Sequence, residues 1–216
     1  MLQYVTVQQM RKIDQKAVVY GMSVELMMEN AGREICNQIL KKIYKHKIKK
    51  ILIIAGKGNN GGGVIAAARH LAANGISSKL VVLGNKNNLS ASTKLNLHLV
   101  RKNPKIQILF YSKNLEKILH EIKNSKLILD GIFGIGLNKN ITEPYYSIIS
   151  AINNSNAFIF SNDVPSGIDA DSGDVFKIAV KSDFLIVLHK PKKWMSILTP
   201  PKFTVVSLGI PIEIIS

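Results

Sequence analysis

Apolar residues along this chain follow two spacings. From residue 51 to residue 163, short apolar runs alternate with stretches whose apolar positions recur every three or four residues. The runs are Ile51 to Ala55, Lys79 to Leu83, Ile106 to Tyr111, KLILD ending at Asp130, and AFIFSND ending at Asp163. Ile51 to Ala55 is apolar throughout, the pattern of a strand buried on both faces. Between the runs, Val64 to Ala73, a segment entered through Ser90, Leu115 to Lys123, and a segment starting near Glu143 and Pro144 read as helices. Two helices precede them. Thr6 and Gln9 form a capping-box signature ahead of Val7, Met10, Ile13 and Ala17, and Gly21 is the stop. Ser23 then opens a stripe of Val24, Met27, Met28, Ala31, Ile35, Ile39 and Ile43. Past residue 163 the pattern changes to two apolar runs, Phe184 to Leu188 and Phe203 to Leu208, joined by a proline- and lysine-rich loop with no helical spacing.

Strands alternating with helices predict βαβ units and an α/β fold, with a mainly parallel sheet covered on both faces and extra edge strands from the tail. No repeat or linker divides the chain, so residues 1–216 are expected to form a single domain, a size that sustains one core at 46% hydrophobic residues. No apolar run is long enough to span a membrane, and the opening MLQYVTVQQMRK lacks the apolar centre of a signal peptide. A cytoplasmic protein with no membrane contact is expected. The single cysteine, Cys36, excludes an internal disulfide, and its apolar helical face makes it a core residue.

The formal charge of +15, from 29 Lys and Arg against 14 Asp and Glu, allows attraction to nucleic acid, acidic lipid or a phosphorylated ligand without choosing among them. Its densest block, KKIYKHKIKK at residues 41–50, falls at a helix end, where cations complement the dipole. No aromatic platform of a nucleic-acid site accompanies it.

Loops that follow the strands of a parallel sheet collect on one edge, where ligands bind. Three such loops carry unusual chemistry: GKGNNGGG after the first strand, Asp130 to Asn140 after the fourth, and Asp163 to Gly167 after the fifth. Glycines there permit positive φ and close backbone approach, and a helix start beyond them favours an anion. An aspartate ending a buried strand is costly unless it meets a cation or donors, and Asp130 and Asp163 both hold that position. Gly56, Gly58 and Gly61 satisfy the spacing of a dinucleotide-binding loop. The acid a conventional dehydrogenase places at the end of the next strand is absent, since that strand ends in Leu83, Gly84 and Asn85. A Walker loop is excluded because no Gly-Lys-Ser or Gly-Lys-Thr occurs.

Taken in order, MENAG (28–32), GKGNNGGG (56–63) with AARHL behind it, DGIFGIGL (130–137) and NDVPSGIDADSG (162–173) resemble the NAD(P)H-hydrate epimerases, the YjeF N-terminal domain family. The resemblance runs from the first helix to the closing SLGIP. It implies a three-layer Rossmann-like αβα sandwich and interconversion of the R and S forms of hydrated NADH or NADPH. It further implies a separate dehydratase acting on the S form, and a homodimer formed through the N-terminal helices. Carried over to this sequence, it implies a potassium ion held by Asn60, Asp130 and Ser166. It places substrate contacts at Asn59, Asn60, Gly61, Gly62 and Gly63, at Gly134, Ile135, Gly136, Leu137, Asn138, Lys139 and Asn140, and at Asp163, which is the catalytic candidate. The chain departs from the family loop NNGGDG at Gly63, where Asp is expected, and at Val64, where Gly is expected and a β-branched side chain stands next to the phosphate approach. Asn138 replaces a common Arg or Lys, and HKPKKW lacks the glycine usual after Lys-Pro. These departures keep a rival reading open: a nucleotide-binding domain without turnover, like the related scaffold domain of enhancer-of-mRNA-decapping proteins, with RNA as its partner.

Overall fold

The computed structural model describes residues 3–46, 48, 50–111 and 114–214. Helix α1 (Val7–Tyr20) begins at the predicted capping box: Thr6 Oγ1 accepts from Gln9 N at 3.1 Å and Gln9 Oε1 accepts from Thr6 N at 2.8 Å. Gly21, at φ 110°, ends it in the left-handed region that glycine enters without strain. In α2 (Val24–His46) the Met- and Ile-rich stripe is buried, including Cys36, whose thiol burial pushes up to about 11.

Seven strands follow: β1 (Lys50–Ala55), β2 (Ser77–Val82), β3 (Ile106–Phe110), β4 (Leu127–Gly131), β5 (Phe158–Asn162), β6 (Phe184–Leu188) and β7 (Lys202–Val206). They form one sheet in the order β3, β2, β1, β4, β5, β6, β7, and every neighbouring pair is parallel. Helices α3 (Asn59–Ala73), α4 (Ala91–Val100), α5 (Leu115–Lys123) and α6 (Tyr145–Asn153) make the crossovers among the first five strands. Alternate residues of β1 show why that strand is wholly apolar. Ile51, Ile53 and Ala55 enter the core shared with α1 to α4, while Leu52 and Ile54 enter the core shared with α5 and α6. The result is the expected αβα sandwich.

The tail strands extend the sheet at its edge beyond β5, as expected, and they do so in parallel, so every pair of the mainly parallel sheet is parallel. Their connections, 163–183 and 189–201, run without an α-helix. One expectation is revised: α3 starts at Asn59 and not at Val64, because the glycines are helical. None of Gly56, Gly58 or Gly61 to Gly63 has positive φ. They are needed for the missing Cβ: one on Gly61 would lie 1.9 Å from Gly56 O, and one on Gly56 would lie 1.8 Å from Ile132 O. The glycines thus bring helix, loop and β4 into backbone contact.

Of the basic block, Lys42 places its ammonium 3.6 Å from the Phe158 ring centroid, a packing role at the end of α2. Lys47 and Lys49 lie outside the described residues. Among the described residues, no helix is long and apolar enough to cross a membrane.

Candidate active site at the switch point

Successive strands step outward from β1 through β2 to β3, then β4 returns to the other side of β1. Such a reversal is where parallel α/β sheets place their ligands, here the carboxyl ends of β1 and β4. One wall is the start of α3. Its cap residue, Gly58, supplies no side chain, and the first helical bond is Gly62 N to Gly58 O at 3.2 Å. The N–H groups of Asn59, Asn60 and Gly61 therefore precede the helical ladder, the arrangement that favours an anion at a helix start. The loop is pinned from α4, where Thr93 Oγ1 donates to Gly58 O at 2.9 Å and Ser90 N donates to Lys57 O at 2.9 Å. Val64 does not crowd this wall. It is fully buried and its methyl groups occupy the space beside Gly131, which has no side chain to meet them.

The second wall is the loop after β4. Asp130, 0% exposed, accepts four neutral hydrogen bonds: Ser166 Oγ at 2.6 Å and Ile132 N at 3.1 Å on Oδ1, Ser161 Oγ at 2.8 Å and Ser166 N at 3.0 Å on Oδ2. Burial raises the pKa of its carboxyl against the pull of these donors, and no cationic side chain contributes. Asn60 Nδ2 donates to Phe133 O at 2.8 Å, and Phe133 N donates to Ser166 Oγ at 2.8 Å. Asn60, Asp130 and Ser166 are thus joined through Phe133. The Asp130 carboxylate and the Ser166 hydroxyl meet directly, with the Phe133 peptide oxygen and the Asn60 carboxamide linked to them, and such hard oxygen groups beside a buried carboxylate fit a monovalent cation. Farther along this loop, Gly134 abuts Asn60, with Cβ space limited to 3.2 Å, while Ile135 and Leu137 pack into the cores. Gly136, Asn138, Lys139 and Asn140 are exposed.

The third wall is Asp163, directly after β5. It is 8% exposed and held at φ 65°, a left-handed conformation uncommon for a residue with a side chain. Its Oδ1 accepts from Leu188 N at 3.0 Å and from the Lys192 ammonium. Lys192 is 1% exposed and also donates to Leu188 O at 2.9 Å. It reaches this place because Val5 bridges to it: Val5 N donates to Pro191 O and Lys193 N donates to Val5 O, both at 2.9 Å. The sequence reading missed Lys192, which looks like any lysine of a basic loop. The nearest signal was the HKPKKW run itself, a lysine directly after a proline at the end of a buried strand.

Two titratable groups border this pair. Burial pushes the half-buried Asp14 of α1 from 3.8 up to about 6, with Lys192 opposing the rise and Asp163 adding to it. His189, at φ 63° and with Nε2 buried and unpartnered, is lowered to about 4 by burial and by Lys190 and Lys192, so it is neutral at pH 7. A carboxyl whose folded pKa exceeds its unfolded one favours folding most at low pH, and the advantage is lost as pH rises through the folded value. Asp14→Asn is therefore expected to stabilise the protein at pH 7.5 by about 1 kcal/mol after allowing for solvent screening. The gain should shrink as pH falls from 6 towards 4, as measured by urea denaturation across that range.

The polar pair in MENAG is structural. Glu29 pairs with Arg69 and, at 2.9 Å, with His70 on α3, and Asn30 Nδ2 donates to Leu208 O at 2.8 Å.

Fold and site together define a parallel α/β protein with an uncapped helix start after β1 and a buried acid–lysine pair after β5. The model of the YjeF-related protein N-terminus matches residues 24–194, and the chain belongs to that family. It is 34% identical over 190 residues to the NAD(P)H-hydrate epimerase of Nitrosopumilus maritimus (strain SCM1), covering 88% of this chain and 86% of that protein. It is 31% identical to the NAD(P)H-hydrate epimerase of Cenarchaeum symbiosum (strain A), covering 97% and 96%. The bifunctional NAD(P)H-hydrate repair enzyme Nnr of Archaeoglobus fulgidus is 32% identical, and the chain spans 38% of its length. The crystal structure of the yeast protein YNL200c superposes with a TM-score of 0.82 at 24% identity, over 95% of this chain and 88% of that one, and shares the fold.

Proposed function

We propose that the protein epimerises hydrated NADH and NADPH, interconverting their R and S forms. The observation that carries this reading is the Asp163–Lys192 pair, buried and held by a left-handed backbone at Asp163 directly after β5. The relatives named as NAD(P)H-hydrate epimerases, which match over most of both chains, support it. The free N–H groups of Asn59, Asn60 and Gly61 suit the diphosphate of such a substrate. Gly62 and Gly63 act behind them, leaving room for Met28 and Thr93 and for Asn162 as α3 packs, and the loop from Gly134 to Asn140 covers the ligand.

In the hydrate, the hydroxyl sits on the carbon next to the ring nitrogen. A proton passes from the Asp163–Lys192 pair to that hydroxyl as the C–O bond breaks, and water leaves. The nitrogen lone pair stabilises the ring cation. Water then adds to the other face and returns its proton to Asp163, so atoms and charge balance over the cycle. Asn60, Asp130 and Ser166 would hold a potassium ion, which when bound supplies positive charge beside the buried Asp130 carboxylate.

The decisive experiment mixes the protein with pure R-form NADPH hydrate, with and without potassium, and follows the S form. Appearance of the S form above the spontaneous rate is expected; its failure to appear with folded protein in potassium would end this reading. In the same proposal the S form is consumed by a separate dehydratase in the cytoplasm, and the protein acts as a homodimer. Val18, Val19 and Tyr20 at the end of α1 are exposed, Val19 to 89%, and offer an apolar contact. Val19→Asp should then convert a sedimenting dimer to a monomer, and a wild-type monomer would exclude the pairing.

A further inference from the structure

We infer that Asn162 is a positioning residue of this site: from the end of β5 it fixes the Asn60 carboxamide in its ligand-binding orientation, using space that a side chain at position 63 would otherwise claim. This rests on the ion-and-hydrate reading of Asn60 given above.

Asn162 is 0% exposed, pairs in register with Ile186, and lies on the same strand face as Phe160. Ile186 and Phe160 both belong to the core under α2 and α3, so the alternation of the sheet calls for an apolar residue here. An amide stands there instead, and its Oδ1 is buried without a hydrogen-bond partner among the described residues. Such an acceptor is costly to keep. Reversing the amide would not relieve it, because Oδ1 would then face two acceptors of Asn60. As placed, Asn162 Nδ2 donates to Asn60 Oδ1 at 2.8 Å and lies 3.5 Å from Asn60 O. The far end of the same carboxamide, Asn60 Nδ2, is tied to Phe133 O at 2.8 Å. Asn60 is held at both ends, and the remaining lone pair of its Oδ1 has one direction.

Gly63 explains how the amide fits. A Cβ on Gly63 would lie 3.4 Å from Asn162 Nδ2, already in van der Waals contact, so a longer side chain at that position would compete with the amide for this space. Loss of the family's carboxylate on α3 and the presence of a polar group on β5 are two halves of one arrangement.

The test is a cycle of wild type, Asn60→Ala, Asn162→Leu and the double variant, each titrated with potassium chloride against sodium chloride and read by the rise in Tm. Asn162→Leu is expected to raise the half-saturating potassium concentration about tenfold, the scale of an outer-shell partner. KM for the hydrate rises with it, while kcat changes little. In the Asn60→Ala background the same substitution should add nothing, because the effect passes through Asn60. An unchanged potassium response in Asn162→Leu, or an equal factor in both backgrounds, overturns the inference. Should Asn162→Leu fail to fold, Asn162→Ala, which removes the donor without adding bulk, takes its place in the cycle under the same criteria. A wild type that responds to potassium but leaves the hydrate epimers unchanged overturns the epimerase reading alone; one that ignores potassium overturns the ion site and this inference together.

Discussion

Asp163→Asn is expected to lower kcat for hydrate epimerisation by about 10²- to 10⁴-fold, the usual contribution of a positioned acid–base group. The substitution keeps the shape of the side chain and the acceptor for Leu188 N, so the sheet and the loop after β5 should be unchanged by circular dichroism. It also removes the carboxylate that pairs directly with Lys192, which is 1% exposed and keeps its bond to Leu188 O, with Asp14 acting on it only at longer range. Tm should therefore fall even though the variant folds. Adding Lys192→Met separates the two effects, because neutralising both partners of a buried pair restores stability far better than neutralising one. The double variant is expected to recover Tm and remain inactive. Wild-type turnover in Asp163→Asn would remove Asp163 from the chemistry.

Lys192→Met alone is expected to cost about 3 to 5 kcal/mol, because it leaves the Asp163 carboxylate buried with one neutral donor. For a chain of this size that corresponds to a fall in Tm of roughly 6 to 20 °C. Urea denaturation gives the free energy directly, and an assay below the new Tm shows whether turnover falls further than the loss of folded protein explains. Wild-type stability in this variant would mean that solvent screens the pair, against the burial of both side chains.

Sequence alone carried most of the fold. β1 to β5 announce themselves as apolar runs, and α1 is bounded by a capping box and a glycine whose roles are local. Local signals fail where a residue is chosen for a distant neighbour. The start of α3 was misjudged because its glycines are usually turn formers, whereas here they make room for the backbone of Gly56 and β4. Asn60, Asp130 and Ser166 are linked through Phe133 because loops that follow the strands of a parallel sheet gather on one edge. Lys192 was invisible for the opposite reason: one buried lysine among 29 basic residues carries no mark in the sequence until the N-terminal segment is seen to cover it. Asn162 likewise shows its meaning only against Gly63, 99 positions away by number.

The bridge between Val5 and Lys192 makes the acid–lysine pair depend on chain closure. Val7 N also donates to Asp171 Oδ1 at 2.7 Å, so the opening residues are sewn to two separate loops of the last third of the chain. Contacts of such sequence separation form late, after the local βαβ units that need no distant partner. A sheet with β1 to β5 already paired then still lacks the acid–lysine pair until the opening segment docks. Fraying at residues 3–7 would be felt first at Asp163, with turnover lost while the central sheet stays folded.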